Sequence, residues 1–304
     1  MQSTSIALCG LLAAMALSPG DQQPTTIRAD VNLVELHVRV TNSEGRTVPG
    51  LKKEAFHLWV DDVPHPITVF MGEDAPVTAG IVVDNSASMA SKRAEVIEAA
   101  LAFARASNPK DEMFVVHFNQ RPRLGLPANI PFTDDVKELE RAISAFQLGG
   151  TTAIYDALLF AATQFKHAAY PVKVVLLITD GGDNSSQATL EEALDGAMQV
   201  GIAIYAIGAF DENDRDRRPA LLTTLADQTG GEAFFPGAIP EVTRICVAIA
   251  NDIRQQYTVG FNGAEDGSYH RLRVAVTDPA KGPLEVRTRV GYIANGGPRA
   301  RARK

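Results

Sequence analysis

Short apolar runs alternate with amphipathic stretches through the middle of this chain. Residues 81–83, 113–118, 174–178 and 202–207 are almost continuously hydrophobic and bounded by turn residues, as strands buried on both faces are. Between them, residues 92–106, 134–146, 153–167, 190–200, 220–229 and 242–254 carry apolar side chains at helical spacing, as with Val96, Ala99, Ala100 and Phe103 in the first. Thr133 is the expected cap of the second helix, and Gly201 closes the fourth. Residues 233–235 add a last short strand. Strand and helix in alternation predict an α/β fold, a doubly wound, mostly parallel sheet with helices on both faces.

The period changes to two at both ends. Val31, Leu33, Val34, Leu36, Val38 and Val40 outline a strand, and a turn at 42–45 leads to Thr47 and Val48. Residues 56–60 and 67–70 read as further strands around a turn at 61–64. Residues 257–261, 270–276 and 284–290 repeat the pattern near the other end. So small a sheet cannot cover itself and needs a partner layer. The expectation is a β-sandwich made from the two chain ends, residues 21–75 and 256–293, with an α/β domain over 76–255 inserted between them.

Composition narrows the class. The 304 residues are 45% hydrophobic and 21% charged, as in ordinary globular proteins. A net charge of −7 argues against a nucleic-acid partner. No run reaches the roughly 18 apolar residues of a membrane span. Residues 6–17 are apolar and placed like a secretory core, although residues 1–5 lack Lys and Arg. A signal peptide over 1–20 is expected, and with it export to the periplasm or outside. Removal would take Cys9 and leave Cys246, in an apolar helical pattern, as a core thiol. Residues 294–304, with Arg299, Arg301, Arg303 and Lys304, read as a basic, disordered tail.

Candidate chemistry gathers where the run at 81–83 meets Asp84, Ser86 and Ser88. Open α/β sheets place ligands beyond the carboxyl ends of their strands. A carboxylate with two hydroxyls there offers hard oxygen donors suited to a hard divalent cation. Alone, the same residues would serve equally as a capped strand-to-helix turn. Two later segments add to them: a Gly149-Gly150-Thr151-Thr152 turn feeding a helix, and the run at 174–178 ending in Thr179-Asp180-Gly181.

In that order the segments resemble the von Willebrand factor type A domain and its metal-ion-dependent adhesion site, over roughly residues 76–255. The family pattern falls on Asp84, Ser86, Ser88, Thr152 and Asp180; Thr151 competes with Thr152, whose spacing to Ala157 and Leu158 matches the family rhythm better. The resemblance implies a Mg2+ or Mn2+ ion held by these five residues and completed by an Asp or Glu of a protein partner. A looser resemblance, to a bacterial family of exported proteins related to such domains, rests on the opening strand, the segment from Leu51 through Phe56, Leu58 and Trp59 to Asp61-Asp62, and the closing Gln256-Tyr257-Thr258-Val259-Gly260 and Arg287-Thr288-Arg289-Val290-Gly291-Tyr292.

Rival chemistries lack their residues. A dehalogenase-type phosphatase needs Asp where Ser86 stands, no Ser lies in a G-x-S-x-G frame, and neither G-x-G-x-x-G nor a P-loop occurs. His117, inside a strand, reads as a satisfied core residue, and Asp183 as a turn residue. The reading is a metal-dependent binding protein and not an enzyme. A metal-dependent hydrolase, or an assembly module whose metal only stiffens loops, are the alternatives. The mixed-charge loop 211–219, leaving the same sheet edge, is a candidate for partner choice, with a solvated surface loop as the equal alternative.

Overall fold

The computed structural model describes residues 32–72, 74–210, 217–238 and 240–296. The expected signal peptide, tail residues 297–304 and loop residues 211–216 lie outside them.

Alternation builds the chain ends. Strand β1 (Leu33–Asn42) turns Val34, Leu36, Val38 and Val40 inward. Strands β2 (Phe56–Val60), β3 (Val63–His65) and β4 (Val69–Met71) follow. The turn expected at 61–64 is tighter than that: Asp61 and Asp62 take φ of 49° and 65°, a left-handed pair that suits a two-residue hairpin, and the chain returns at once as β3.

Continuous apolar runs build the middle. Strands β5 (Thr78–Asp84), β6 (Glu112–Phe118), β8 (Lys173–Thr179) and β9 (Ile202–Gly208) are parallel and buried almost throughout, as strands covered on both faces must be. The short β7 (Pro122–Leu124) joins the β6 edge antiparallel, and β10 (Ala233–Phe234) joins the β9 edge in parallel. The sheet order is β10-β9-β8-β5-β6-β7. Helices α1 (Arg93–Ala106), α2 (Val136–Ser144), α3 (Ile154–Gln164), α4 (Leu190–Val200), α5 (Pro219–Thr229) and α6 (Pro240–Arg254) connect and flank it. Asp135, not Thr133, caps α2, accepting from the Lys137 N–H at 2.8 Å, while the Thr133 hydroxyl binds Glu138. Thr189 and Glu192 form a reciprocal capping box on α4.

After α6 the chain returns to its beginning. Strands β11 (Tyr257–Asn262), β12 (Tyr269–Val276), β13 (Leu284–Arg287) and β14 (Gly291–Ile293) follow; β11 pairs antiparallel with β1 and β4, β13 with β1, and β12 with β2 and β14, giving sheets β13-β1-β11-β4 and β14-β12-β2-β3. Each sheet mixes strands from both ends. Their apolar faces share one core, in which Phe56, Phe70 and Tyr257 pack with ring centres 5.1–5.9 Å apart. The Tyr257 hydroxyl donates to the Val48 carbonyl and accepts from the Leu51 N–H. The expected strand 284–290 breaks after Arg287. Arg289 instead turns inward and donates to the Met198 carbonyl near the end of α4 and to the Glu35 carbonyl of β1, tying the sandwich to the α/β layer. Cys246 is buried on α6, and the apolar surroundings push its thiol up to about 12.

Candidate metal centre

Strand order fixes where a site can form. From β5 the chain crosses by α1 to β6 on one side, whereas from β8 it crosses by α4 to β9 on the other. The carboxyl ends of the neighbouring β5 and β8 therefore flank the point where the winding reverses, and a crevice opens there in sheets of this kind. Asp84 ends β5, and Asp180 follows β8 by one residue.

Backbone hydrogen bonds draw the third segment in. The Gly149 N–H donates to the Asn85 carbonyl at 2.9 Å, and the Ala87 N–H to the Gly150 carbonyl at 3.3 Å. Gly150 has φ +83°, a left-handed backbone that favours glycine, and a Cβ there would also displace Gln120 Oε1, 1.7 Å away. Thr152 is then held against the loop after Asp180: its N–H donates to Asn184 Oδ1, and its carbonyl accepts from the N–H groups of Asn184 and Ser185. Thr152 is buried and Thr151 exposed.

Side chains link the remaining candidates in a chain. Asp84 Oδ1 accepts from the Ser86 N–H at 2.8 Å, and Asp84 Oδ2 from the Thr179 hydroxyl at 2.6 Å. Ser86 Oγ lies 3.0 Å from Ser88 Oγ, which donates to Asp180 Oδ1 at 2.8 Å. Burial pushes the Asp84 carboxyl up to about 6, against the opposing pull of its hydrogen bonds from Thr179 and Ser86.

These spacings test whether the residues suit a small hard cation. Octahedral bonds of about 2.0–2.1 Å set neighbouring donor oxygens about 3 Å apart. The Ser86–Ser88 and Ser88–Asp180 contacts of 3.0 and 2.8 Å match that edge, and every donor is oxygen. The set fits. Among the described residues no group of three or more His, Cys, Asp or Glu is placed to hold a metal ion, so an ion here relies on hydroxyls as well as carboxylates.

Sequence reasoning missed Lys92. Read from sequence only as the first residue of the helix 92–106, it follows a 3-10 turn (Ala87–Ser91) that swings it inward. Its Nζ lies 2.9 Å from Asp180 Oδ2, with the two side chains 2% and 1% exposed. Arg93 and Asn85 were missed too. The Arg93 guanidinium donates to Asn85 Oδ1 and to the Ser144 and Phe146 carbonyls, and the Asn85 amide donates to His117 Nδ1. His117 Nε2 donates in turn to the Ala142 carbonyl, and burial lowers its pKa, so it stays neutral and satisfied in the core. Asp183 accepts from the Tyr155 N–H in the first turn of α3 and from the Ser186 N–H. Of the loop 211–219, Arg217 and Arg218 are described and exposed.

Comparison with known proteins agrees with this architecture. The von Willebrand factor type A domain family matches residues 80–245. No curated protein matches the chain. A von Willebrand factor type A structure from Catenulispora acidiphila superposes with a TM-score of 0.54 at 14% identity, over 88% of this chain and 75% of that one. Proximal thread matrix protein 1 from the mussel byssus gives 0.50 at 19% identity over 69% of this chain, which spans about half, 51%, of the mussel protein's length. A form of the mussel protein with a zinc-occupied MIDAS motif gives 0.49 at 18% identity, over 60% and 48% of the two chains. At their identities the first two likenesses are ones of fold.

Proposed function

This chain belongs to the von Willebrand factor type A domain family, and from that premise we propose that it is an exported protein-binding module whose Asp84, Ser86, Ser88, Thr152 and Asp180 hold a Mg2+ or Mn2+ ion. When bound, the ion would supply a positive centre for an Asp or Glu of a protein partner to complete. The observation that carries the reading is the oxygen spacing: hydroxyl and carboxylate donors at 2.8–3.0 Å, set at the reversal point of the sheet. The chain's own residues prepare that face. Thr179 and the Ser86 N–H hold Asp84 from both sides, and Arg93 fixes Asn85 and the carbonyls of the 144–146 turn behind the D-x-S-x-S loop.

The reading is of binding and not catalysis. The groups around the site that could move a proton are committed: Lys92 to Asp180, His117 to Asn85 and Ala142, and Asp183 to the first turn of α3. The fold carries no helix long and apolar enough to cross a membrane among the described residues. Calorimetric titration with Mg2+ and Mn2+ tests the metal half: saturable binding by the wild type, abolished in Asp84→Ala, is expected, and equal binding by the two proteins overturns it. The partner half is tested by capture from an envelope extract in Mg2+, to be lost in EDTA and in Asp84→Ala.

A further inference from the structure

Asp180 serves two masters. One oxygen accepts from Ser88, a candidate ligand, and the other accepts from the Lys92 ammonium. Lysine is almost never fully buried unless paired, and here both members of the pair are covered. The backbone that carries the ammonium is also anchored. Lys92 ends the 3-10 turn that begins at Ala87, its N–H donates to the Met89 carbonyl, and its carbonyl accepts from the Val96 N–H of α1. The backbone at the base of its side chain is thereby held beside the turn that carries Ser88.

We propose that Lys92 is a built-in competitor for the divalent ion: a buried cation that neutralises Asp180, lets the metal-free site stay folded, and holds metal affinity low. An ion drawn to this oxygen set meets a fixed positive charge one carboxylate away, in surroundings where burial strengthens the repulsion. With Lys92 in place, Asp84 and Asp180 supply one net negative charge between them where two would otherwise act. A lysine of purely structural purpose would leave metal affinity unchanged or, on removal, lower it. A competitor does the opposite.

This inference rests on the proposed metal site, and the experiment separates the two. Mg2+ and Mn2+ are titrated into the purified wild type, Lys92→Met and Lys92→Gln, and thermal melts of each are recorded in EDTA and in excess Mg2+. The expected result is an affinity at least tenfold tighter in both variants, about 1.4 kcal/mol, with Mg2+ raising their melting temperatures by more than it raises the wild type's. Lys92→Gln keeps a hydrogen-bond donor for Asp180, so it guards against a Met variant that fails to fold. Wild-type and Lys92→Gln affinities that agree, or a weaker variant, overturn the inference while leaving the metal site standing. Absence of saturable binding in all three proteins overturns the metal site itself.

Discussion

The Thr179 hydroxyl donates to Asp84 Oδ2 at 2.6 Å, spanning the seam between β8 and β5 one residue before Asp180. That bond ties the first acidic candidate to the strand that positions the second. Hydrogen bonds to charged groups contribute about 1.5–3 kcal/mol, and leaving the buried carboxylate short of a donor adds to the loss. Thr179→Val, which keeps the shape and removes the hydroxyl, is expected to lower stability by about 1–3 kcal/mol in urea denaturation. It should weaken Mg2+ binding as well. An unchanged urea midpoint would show that Asp84 does not depend on Thr179.

A second expectation concerns the Gly-Gly turn. Gly150→Ala must take a left-handed φ and also displace Gln120, which a Cβ would strike at 1.7 Å. Gly45, at φ +73° in the hairpin turn after β1, has open space around its Cβ position. Both alanine variants should lose about 1–2 kcal/mol of stability from the backbone alone. Only Gly150→Ala should also weaken Mg2+ binding, because the Gly150 carbonyl accepts from the Ala87 N–H beside Ser86 and Ser88. Equal effects of the two variants on metal titration would remove the turn from the site.

What the sequence showed and what it hid divide along physical lines. Strands buried on both faces are written as continuous apolar runs, so the ends of β5 and β8, and Asp84 and Asp180 with them, were legible from local pattern. The winding around them followed from strand–helix alternation. Lys92 was not legible, since a lysine ahead of a helix reads as solvated, and only the 3-10 turn before it rotates the side chain onto Asp180. The cap of α2 was a choice between adjacent cap formers, which neighbouring backbone geometry decided for Asp135. Arg289 sits in an alternating stretch that reads as strand. Its contacts with Met198 and Glu35 are tertiary, and they end the strand early.

The sandwich gives a third expectation. Strand β1 pairs with β11 along Leu33 to Val38 and with β13 along Arg39 to Asn42, so both neighbours come from the far end of the chain. Deleting residues 256–304 strips both edges of β1 and uncovers Leu36, Val38 and Val40. The truncated protein is expected to aggregate in size-exclusion chromatography. A monomer of undiminished thermal stability would mean that the two ends do not depend on each other.

His270 supplies a pH dependence. Its Nδ1 lies 2.7 Å from Asp61 and its Nε2 3.1 Å from Asp266, while the ring stacks on Tyr292. The Asp61 hydrogen bond, chiefly, raises its pKa above the ordinary value of 6.5, with Asp266 adding to it against slight burial. A histidine with a raised folded-state pKa contributes stability that is complete below its unfolded pKa and is lost as pH rises through the folded one. The wild-type urea midpoint should therefore fall across the range just above about 6.5, and His270→Gln should flatten that fall. The pair is open to solvent, so the effect is small. Parallel pH profiles for the two proteins would place the titration elsewhere.

The last expectation separates holding the metal from holding the loop that holds it. Arg93 touches none of Asp84, Ser86, Ser88, Thr152 or Asp180 in the bonds it makes; it donates to Asn85, between Asp84 and Ser86, and to the Ser144 and Phe146 carbonyls ahead of the Gly-Gly turn. Asn85 in turn donates to His117, which stacks on Phe146 with ring centres 4.9 Å apart, so the bonds close a ring around the back of the site. Arg93→Met keeps the apolar stem and removes the donors, leaving part-buried acceptors without their charged partner at a cost of about 1–3 kcal/mol. Mg2+ affinity should fall with it, by less than in Asp84→Ala, because the ligands survive while their spacing loosens. Hydrogen exchange should quicken at the backbone amides of Gly149 and Ala87, whose bonds join the two loops. A variant that loses metal affinity with unaltered protection of those amides would make Arg93 an electrostatic neighbour of the ion and not a brace.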